Sequence, residues 1–289
     1  MPETRDRFFC SLASRANCEL LAGTVARIRS WLLIEHSDAW RRNAVADSRL
    51  FSPAVKAHLR GIGVERTLLV RQTHCPSWPA RVMFVDSSAD RPSIRIHEIE
   101  DYEQLLQPIA SSFGGPGTDL MFAVCTHGRH DPCCAKFGMP VWRALNEYAP
   151  KRAWQCSHVG GDRFAANVVV FPYGLYYGRV SPEDVPQLVR LSEAGEVWLP
   201  GYRGRSCWPR SAQVAEYFLR RETGEIGIDA FRPLAAIGST VEFAATQDGA
   251  KYRVEFAARR EAFYQRLTCE SDQESAVDGY ELVSCERVP

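Results

Sequence analysis

Lysine is nearly missing from this chain: 4 residues stand beside 31 arginines. The skew points to the codon usage of a GC-rich, bacterial genome. Basic and acidic residues both number 35, so the formal net charge is zero. No global field then draws in nucleic acid or an anionic membrane surface, and neither is expected as a partner. Long apolar runs are also lacking. The longest early one, Trp31–Ile34, falls far short of the roughly 20 residues a membrane helix needs. The opening MPETRDRFFCSLASR is charged and has no apolar segment of the kind that targets a chain for export, so the cytoplasm is the expected compartment. Neither a dinucleotide-type glycine fingerprint nor a phosphate loop occurs. A flavin or nicotinamide step would need a separate reductase, and we assign no catalytic residue. A C-x-x-C motif is absent, which speaks against a thioredoxin-type dithiol.

What is present is an ordinary globular composition, 45% apolar and 24% charged over 289 residues, enough for one large or two ordinary domains. Ten cysteines in a reducing compartment are not expected to be disulfide staples, so a clustered subset points to metal or redox work. Cys10, Cys18, Cys75, Cys207, Cys269 and Cys285 are scattered and read as small buried apolar residues or free thiols.

Three regions follow from the patterning. Residues 1–110 read as an α/β unit. SWLLIEH reads as a buried strand. The segment 51–61 reads as a short helix with Ser52 as cap, Pro53 in its first turn and Gly61 after it. Strands are expected at 66–71, 81–86 and 94–99, and a helix at 102–109. SSFGGPGT, residues 111–118, reads as a linker. Residues 119–204 hold a strand at 119–124, a helix at 135–148, strands at 167–171 and 175–180 joined by a Pro-Tyr-Gly turn, and a helix near 182–191. Residues 205–289 read as a helix closed by Gly224 and a β-rich extension with a hairpin around Gly249.

The chemistry sits in the middle region. The strand at 119–124 runs into CTHGRHDPCCAKFG, with eight residues between Cys125 and Cys134. WQCSHVGGDRF follows, with three residues between His158 and Asp162. Thiolates and imidazole on glycine-containing loops beside apolar strands make a cradle for an iron–sulfur cluster, because such loops let backbone N–H groups approach the sulfides. Cys133 reads as a packed neighbour of Cys134, with two alternatives: that it exchanges ligand roles with Cys134, or that the two form a vicinal disulfide. His127 and His130 read as exposed loop histidines. Arg163, Arg179, Arg203 and Arg205 could surround the site and meet an acidic partner.

CAKFG and VVVFPYGLYYGRV resemble segments of thioredoxin-like [2Fe–2S] ferredoxins. The larger pattern CTHGRHDPCCAKFG…SHVGGDRFAANVVVFPYGLYYGRV resembles the sucrase/ferredoxin-like family, as do AGTVARIRSWLLIEH and GYRGRSCWP. The resemblance implies a thioredoxin-like ferredoxin domain at 119–204, a [2Fe–2S] cluster, and Cys125 and Cys134 as the first ligand pair. The second pair is Cys-x3-Cys in the ferredoxins and His-x3-His in fungal members of the family. Here it reads His158 and Asp162, so His158 carries over and the fourth ligand is open between Cys156, Asp162 and none. Softness favours the Cys156 thiolate. The implied function is electron transfer or redox sensing with an unknown redox partner. Two others compete: a metal-free thiol protein using Cys133–Cys134 or Cys134–Cys156, and a zinc-containing binding module using Cys125, Cys134, Cys156 and His158.

Overall fold

A computed structural model describes residues 7–72, 78–107, 114–117, 120–259 and 263–289; Cys75 lies outside them. The chain forms α1 (Cys10–Ala16), β1 (Ser30–Glu35), α2 (Pro53–Gly61), β2 (Arg66–Arg71), β3 (Ala80–Asp86), β4 (Ser93–Ile99), β5 (Gly115–Gly117), β6 (Met121–Cys125), α3 (Pro132–Tyr148), β7 (Ala153–Cys156), β8 (Val168–Phe171), β9 (Leu175–Tyr177), α4 (Val185–Glu193), β10 (Tyr202–Arg205), α5 (Arg210–Thr223), β11 (Phe231–Ile237), β12 (Thr240–Ala245), β13 (Lys251–Ala258), β14 (Phe263–Gln265), β15 (Ser275–Val277) and β16 (Tyr280–Val288).

Ten strands make one mixed sheet in the order β10-β9-β8-β6-β7-β2-β1-β3-β4-β5. β6 is buried along its whole length, as a strand covered on both faces must be, and therefore reads as an unbroken apolar run. It pairs in parallel with β7 through the α3 crossover, and antiparallel with β8, which turns back into β9. This β-α-β unit with an antiparallel hairpin on its outer side is a thioredoxin-like arrangement. β2 joins the free edge of β7 where Val70 meets Cys156. The strands of 1–110 thus continue the sheet of 119–204, and one apolar layer contains Trp31, Leu68 and Val70 together with Cys125, Trp154 and Cys156.

On the other face α3 packs Val141 and Leu145 onto Phe122, Val124 and Val168, an i,i+4 stripe against alternate strand residues. The helix begins at Pro132, three residues before the expected start. Asp131 caps it, its side chain accepting from the Cys133 N–H at 2.8 Å, with Pro132 in the first turn. The Asp-Pro pair is a start signal the periodicity alone did not register.

Other boundaries shift for local reasons. The expected helix at 102–109 is a 3-10 turn over Tyr102–Leu106, with 108–109 outside the described residues. Within the expected linker, Gly115–Gly117 pairs with β4. The C-terminal region forms a four-stranded sheet, β11-β12-β13-β16, with α5 packed on it through Phe218 and Leu219. β11 was not expected because Pro233 interrupts it; as an edge strand it accommodates proline.

Candidate metal centre

The candidate residues gather at the carboxyl ends of β6 and β7, beside the N-terminus of α3, the usual place for a site in a parallel βαβ unit. Cys125 closes β6. Cys134 lies in the first turn of α3. One turn later, Gly138 lets the helix backbone lie against the end of β6. A Cβ there would collide with the carbonyl oxygen of Cys125 and stand 3.1 Å from its carbonyl carbon. The glycine of CAKFG thereby sets the distance between the two thiols.

His158 follows β7 by two residues. Gly160 and Gly161 have φ of 97° and 78°, left-handed values that favour glycine, and they turn the chain so that Asp162 comes back toward His158. The ligand atoms of Cys125, Cys134 and His158 lie within 4.8 Å of one another. Cys134 Sγ is 3.9 Å from His158 Nδ1 and 3.4 Å from Asp162 Oδ1. His158 Nδ1 is 3.0 Å from Asp162 Oδ1. The structure thus brings Cys125, Cys134, His158 and Asp162 together. Cys156 stands opposite Cys125 in the parallel register and lies fully buried in the apolar layer. Among the described residues it is in none of the groups of neighbouring ligand atoms. Burial pushes its thiol well up.

The electrostatics favour an anion at Cys125. Its pKa is held well down, first by the hydrogen bond from the Cys134 thiol and then by His158, against the opposing effect of burial. Cys134 is correspondingly pushed up by its thiolate neighbour and by burial. Burial acts against charge on His158, but Asp162 and the Cys125 thiolate outweigh it and raise the imidazole to about 9. Burial likewise opposes charge on Asp162, and the His158 imidazolium overcomes it and lowers the carboxyl. The shifts thus favour charge on Cys125, His158 and Asp162 together, and a metal bound here would displace the protons that remain on its ligands.

Three neighbours fix this wall. His127 is buried, not exposed as the sequence suggested. Its Nδ1 accepts from the His158 N–H at 3.2 Å and its Nε2 donates to the Arg41 carbonyl at 2.7 Å. His130 stacks on His158 with ring centroids 3.7 Å apart. Arg203 is buried, and its Nη1 donates to Asn167 Oδ1 at 2.7 Å and to the Gly160 carbonyl at 3.1 Å. Neither it nor Arg205, which pairs with Asp229, faces a partner. Arg163 is committed to Glu19, and Arg179 donates to the Glu19 carbonyl and Ser14. The arginines at the mouth are others. Arg41, Arg42, Arg49 and Arg129 are exposed and line the hollow beside Trp40, next to the opening at His130 and His158. Their spacing in sequence gave no sign of this.

Cys133 and Cys134 face different groups. Cys134 belongs to the one just described, and Cys133 turns toward Cys10 and Cys269. That divergence removes the basis for a vicinal pair.

The model of the sucrase/ferredoxin-like family matches residues 21–204. A yeast protein, "Altered inheritance of mitochondria protein 32" of Meyerozyma guilliermondii, is 34% identical over 98 residues, covering 30% of this chain and 35% of that protein. The chain therefore aligns with about a third of that relative's length, and a yeast relative lends no support to a bacterial source. Two cysteine-to-serine variants of the thioredoxin-like [2Fe–2S] ferredoxin from Aquifex aeolicus are each 22% identical, with TM-scores of 0.27 and 0.26, over 30% of this chain and all of theirs. Among the described residues no helix is long and apolar enough to cross a membrane.

Proposed function

The chain belongs to the sucrase/ferredoxin-like family, and from that premise we propose that it is a [2Fe–2S] electron-transfer or redox-sensing protein. Cys125, Cys134, His158 and Asp162 would be the ligands. The observation that carries this reading is the convergence of Cys125, Cys134 and His158 from three separate segments, the end of β6, the start of α3 and the loop after β7, with Asp162 set against Cys134 and His158. The donor chemistry fits: two thiolates with an imidazole that lowers the anionic charge, as in other His-ligated clusters. Asp162, not Cys156, is the fourth ligand in this reading, because the glycine turn brings its carboxylate to Cys134 and His158, while Cys156 is in none of the groups of neighbouring ligand atoms among the described residues.

A bound cluster would supply one-electron chemistry. The protein's own part is to hold the thiolates, to exclude water behind them with the apolar layer, and to present one edge to solvent. That edge is His158, whose side chain is 18% exposed, with His130 stacked over it. Arg41, Arg49 and Arg129 at the mouth, beside Arg42 paired with Glu270, favour an acidic redox partner by complementarity of charge.

One feature favours a second reading. The donor atoms of Cys125, Cys134 and His158, within 4.8 Å of each other, also suit a single ion such as zinc. Visible absorption of anaerobic protein and its variants separates the two. The cluster reading expects Cys125→Ser and Cys134→Ser to abolish the chromophore, Asp162→Ala to weaken it and Cys156→Ser to leave it. Bleaching by Cys156→Ser with retention in Asp162→Ala would return the fourth position to Cys156. A colourless native protein carrying zinc at this corner would replace the cluster altogether.

A further inference from the structure

We propose that Cys10, Cys133, Cys269 and Asp131 form a second metal site, a structural one that holds zinc. Cys10 opens α1, Cys133 is in the first turn of α3, and Cys269 lies between β14 and β15. They are 123 and 136 residues apart in sequence. Their sulfurs nevertheless form a compact triangle: Cys10 to Cys133 is 3.7 Å, Cys133 to Cys269 is 3.2 Å, and Cys269 to Cys10 is 3.6 Å. A tetrahedral zinc with Zn–S of about 2.3 Å sets its sulfurs about 3.8 Å apart. The triangle is close to one face of such a tetrahedron.

The carboxylate of Asp131 completes the set, with its ligand atom within 4.8 Å of the three sulfurs. It is already oriented. One oxygen accepts from the Cys133 N–H at 2.8 Å and the other from the Cys269 N–H at 2.7 Å. The Cys10 N–H points at Cys269 Sγ, 3.5 Å away. Such outer hydrogen bonds are what hold metal ligands in place. Ala165, Phe9 and Phe137 close the surroundings, as a structural zinc site without an open coordination position requires.

A disulfide accounts for less. It would join two of the sulfurs and leave the third, and the carboxylate, without a role. Three thiols with a carboxylate are a soft, tetrahedral donor set that suits zinc. Binding would release the thiol protons to solvent and form three Zn–S bonds, with no change of oxidation state.

Cys10 and Cys269 both lie outside residues 21–204, the part shared with the family. The metal would therefore pin the two flanking segments to the first turn of α3, one residue from Cys134. α1 also rests on the turn that carries Asp162, where Ser11 Oγ donates to the Ala165 carbonyl at 2.8 Å. The second site would thus brace one wall of the first, whatever the first contains.

The test is zinc content of reduced, zinc-supplemented full-length protein, measured on native chain and on Cys10→Ser, Cys269→Ser and Cys134→Ser. The expected result is roughly one zinc per chain in native protein and in Cys134→Ser, with loss in the other two. Zinc is counted separately from iron and sulfide, and Cys134→Ser keeps its zinc whatever the first group holds, so failure here and failure at the first group are distinguishable. If a variant does not fold, cobalt-substituted native protein should show thiolate-to-cobalt charge transfer of a three-thiolate site. Absence of zinc from the native chain would overturn the proposal. So would zinc that vanishes only in Cys134→Ser, or a Cys133–Cys269 disulfide found by peptide mapping of alkylated protein.

Discussion

Replacing Gly138 by alanine tests the packing that sets the first ligand pair. In an exposed helix the change would stabilise by about 1 kcal/mol, because alanine is the better helix former. Here the added Cβ meets backbone, not a side chain that can swing away. It would overlap the carbonyl oxygen of Cys125 and lie 3.1 Å and 3.6 Å from the next two backbone atoms. Relief requires α3 to retreat from β6 by on the order of 1 Å, and overpacking of that kind costs about 1–3 kcal/mol. The packing cost should win, because the overlap is with backbone, for a net loss of up to about 2 kcal/mol. The displacement acts at Cys134, one turn earlier, so metal retention should fall as well. Denaturant unfolding gives the first quantity and iron with sulfide on the same preparation gives the second. A Gly138→Ala protein as stable as native, with full metal content, would refute the claim that this glycine sets the spacing of Cys125 and Cys134.

Other perturbations report on separate parts of the molecule. Arg220 and Glu216 form a buried pair at 2.8 Å, with exposures of 0% and 1%; Arg220→Met should cost about 3–5 kcal/mol in urea unfolding, because it strands a buried carboxylate, and a loss below 1 kcal/mol would contradict that. Burial lowers the pKa of His36, against weaker opposing help from Asp38. The unfolded chain therefore takes up a proton near pH 6.5 that the folded chain resists, and stability should fall as pH drops below about 6.5. His127 and His130, also lowered by burial, act in the same sense, so His36→Gln should flatten the slope of thermal midpoint against pH only in part; an unchanged slope would count against His36. Arg129→Glu should slow reduction by the anion dithionite several-fold at low salt and little at high salt, while leaving thermal stability as it was.

The sequence and the structure agree most where one element carries its own signal. β6 is an apolar run, the β8–β9 hairpin has its turn residues, and α3 has its stripe at 137, 141 and 145. The elements that went unseen depend on distant contacts or on single residues that break a pattern. β11 contains a proline, and the start of α3 is marked only by Asp131-Pro132. At the first group, Cys125, Cys134 and His158 were reached through the motif and its resemblance. Which of Cys156 and Asp162 lies beside Cys134 and His158 depends on chain geometry that spacing does not express. Cys156 is the last residue of a strand and points, like Trp154 two residues before it, into the apolar layer. Asp162 returns to the group because two consecutive glycines adopt positive φ. The second group left no trace in the sequence. Cys10 and Cys269 look like isolated thiols, and only the folding of both flanks onto the start of α3 brings them to Cys133.

The protein's chemistry depends on what the corner formed by Cys125, Cys134, His158 and Asp162 holds. The most direct measurement is iron, sulfide and zinc on one sample of protein purified without oxygen, taken with its visible spectrum. A [2Fe–2S] protein would give roughly two iron and two sulfide per chain with absorption across the visible range. A colourless protein with no iron or sulfide, even after reconstitution, would contradict that reading.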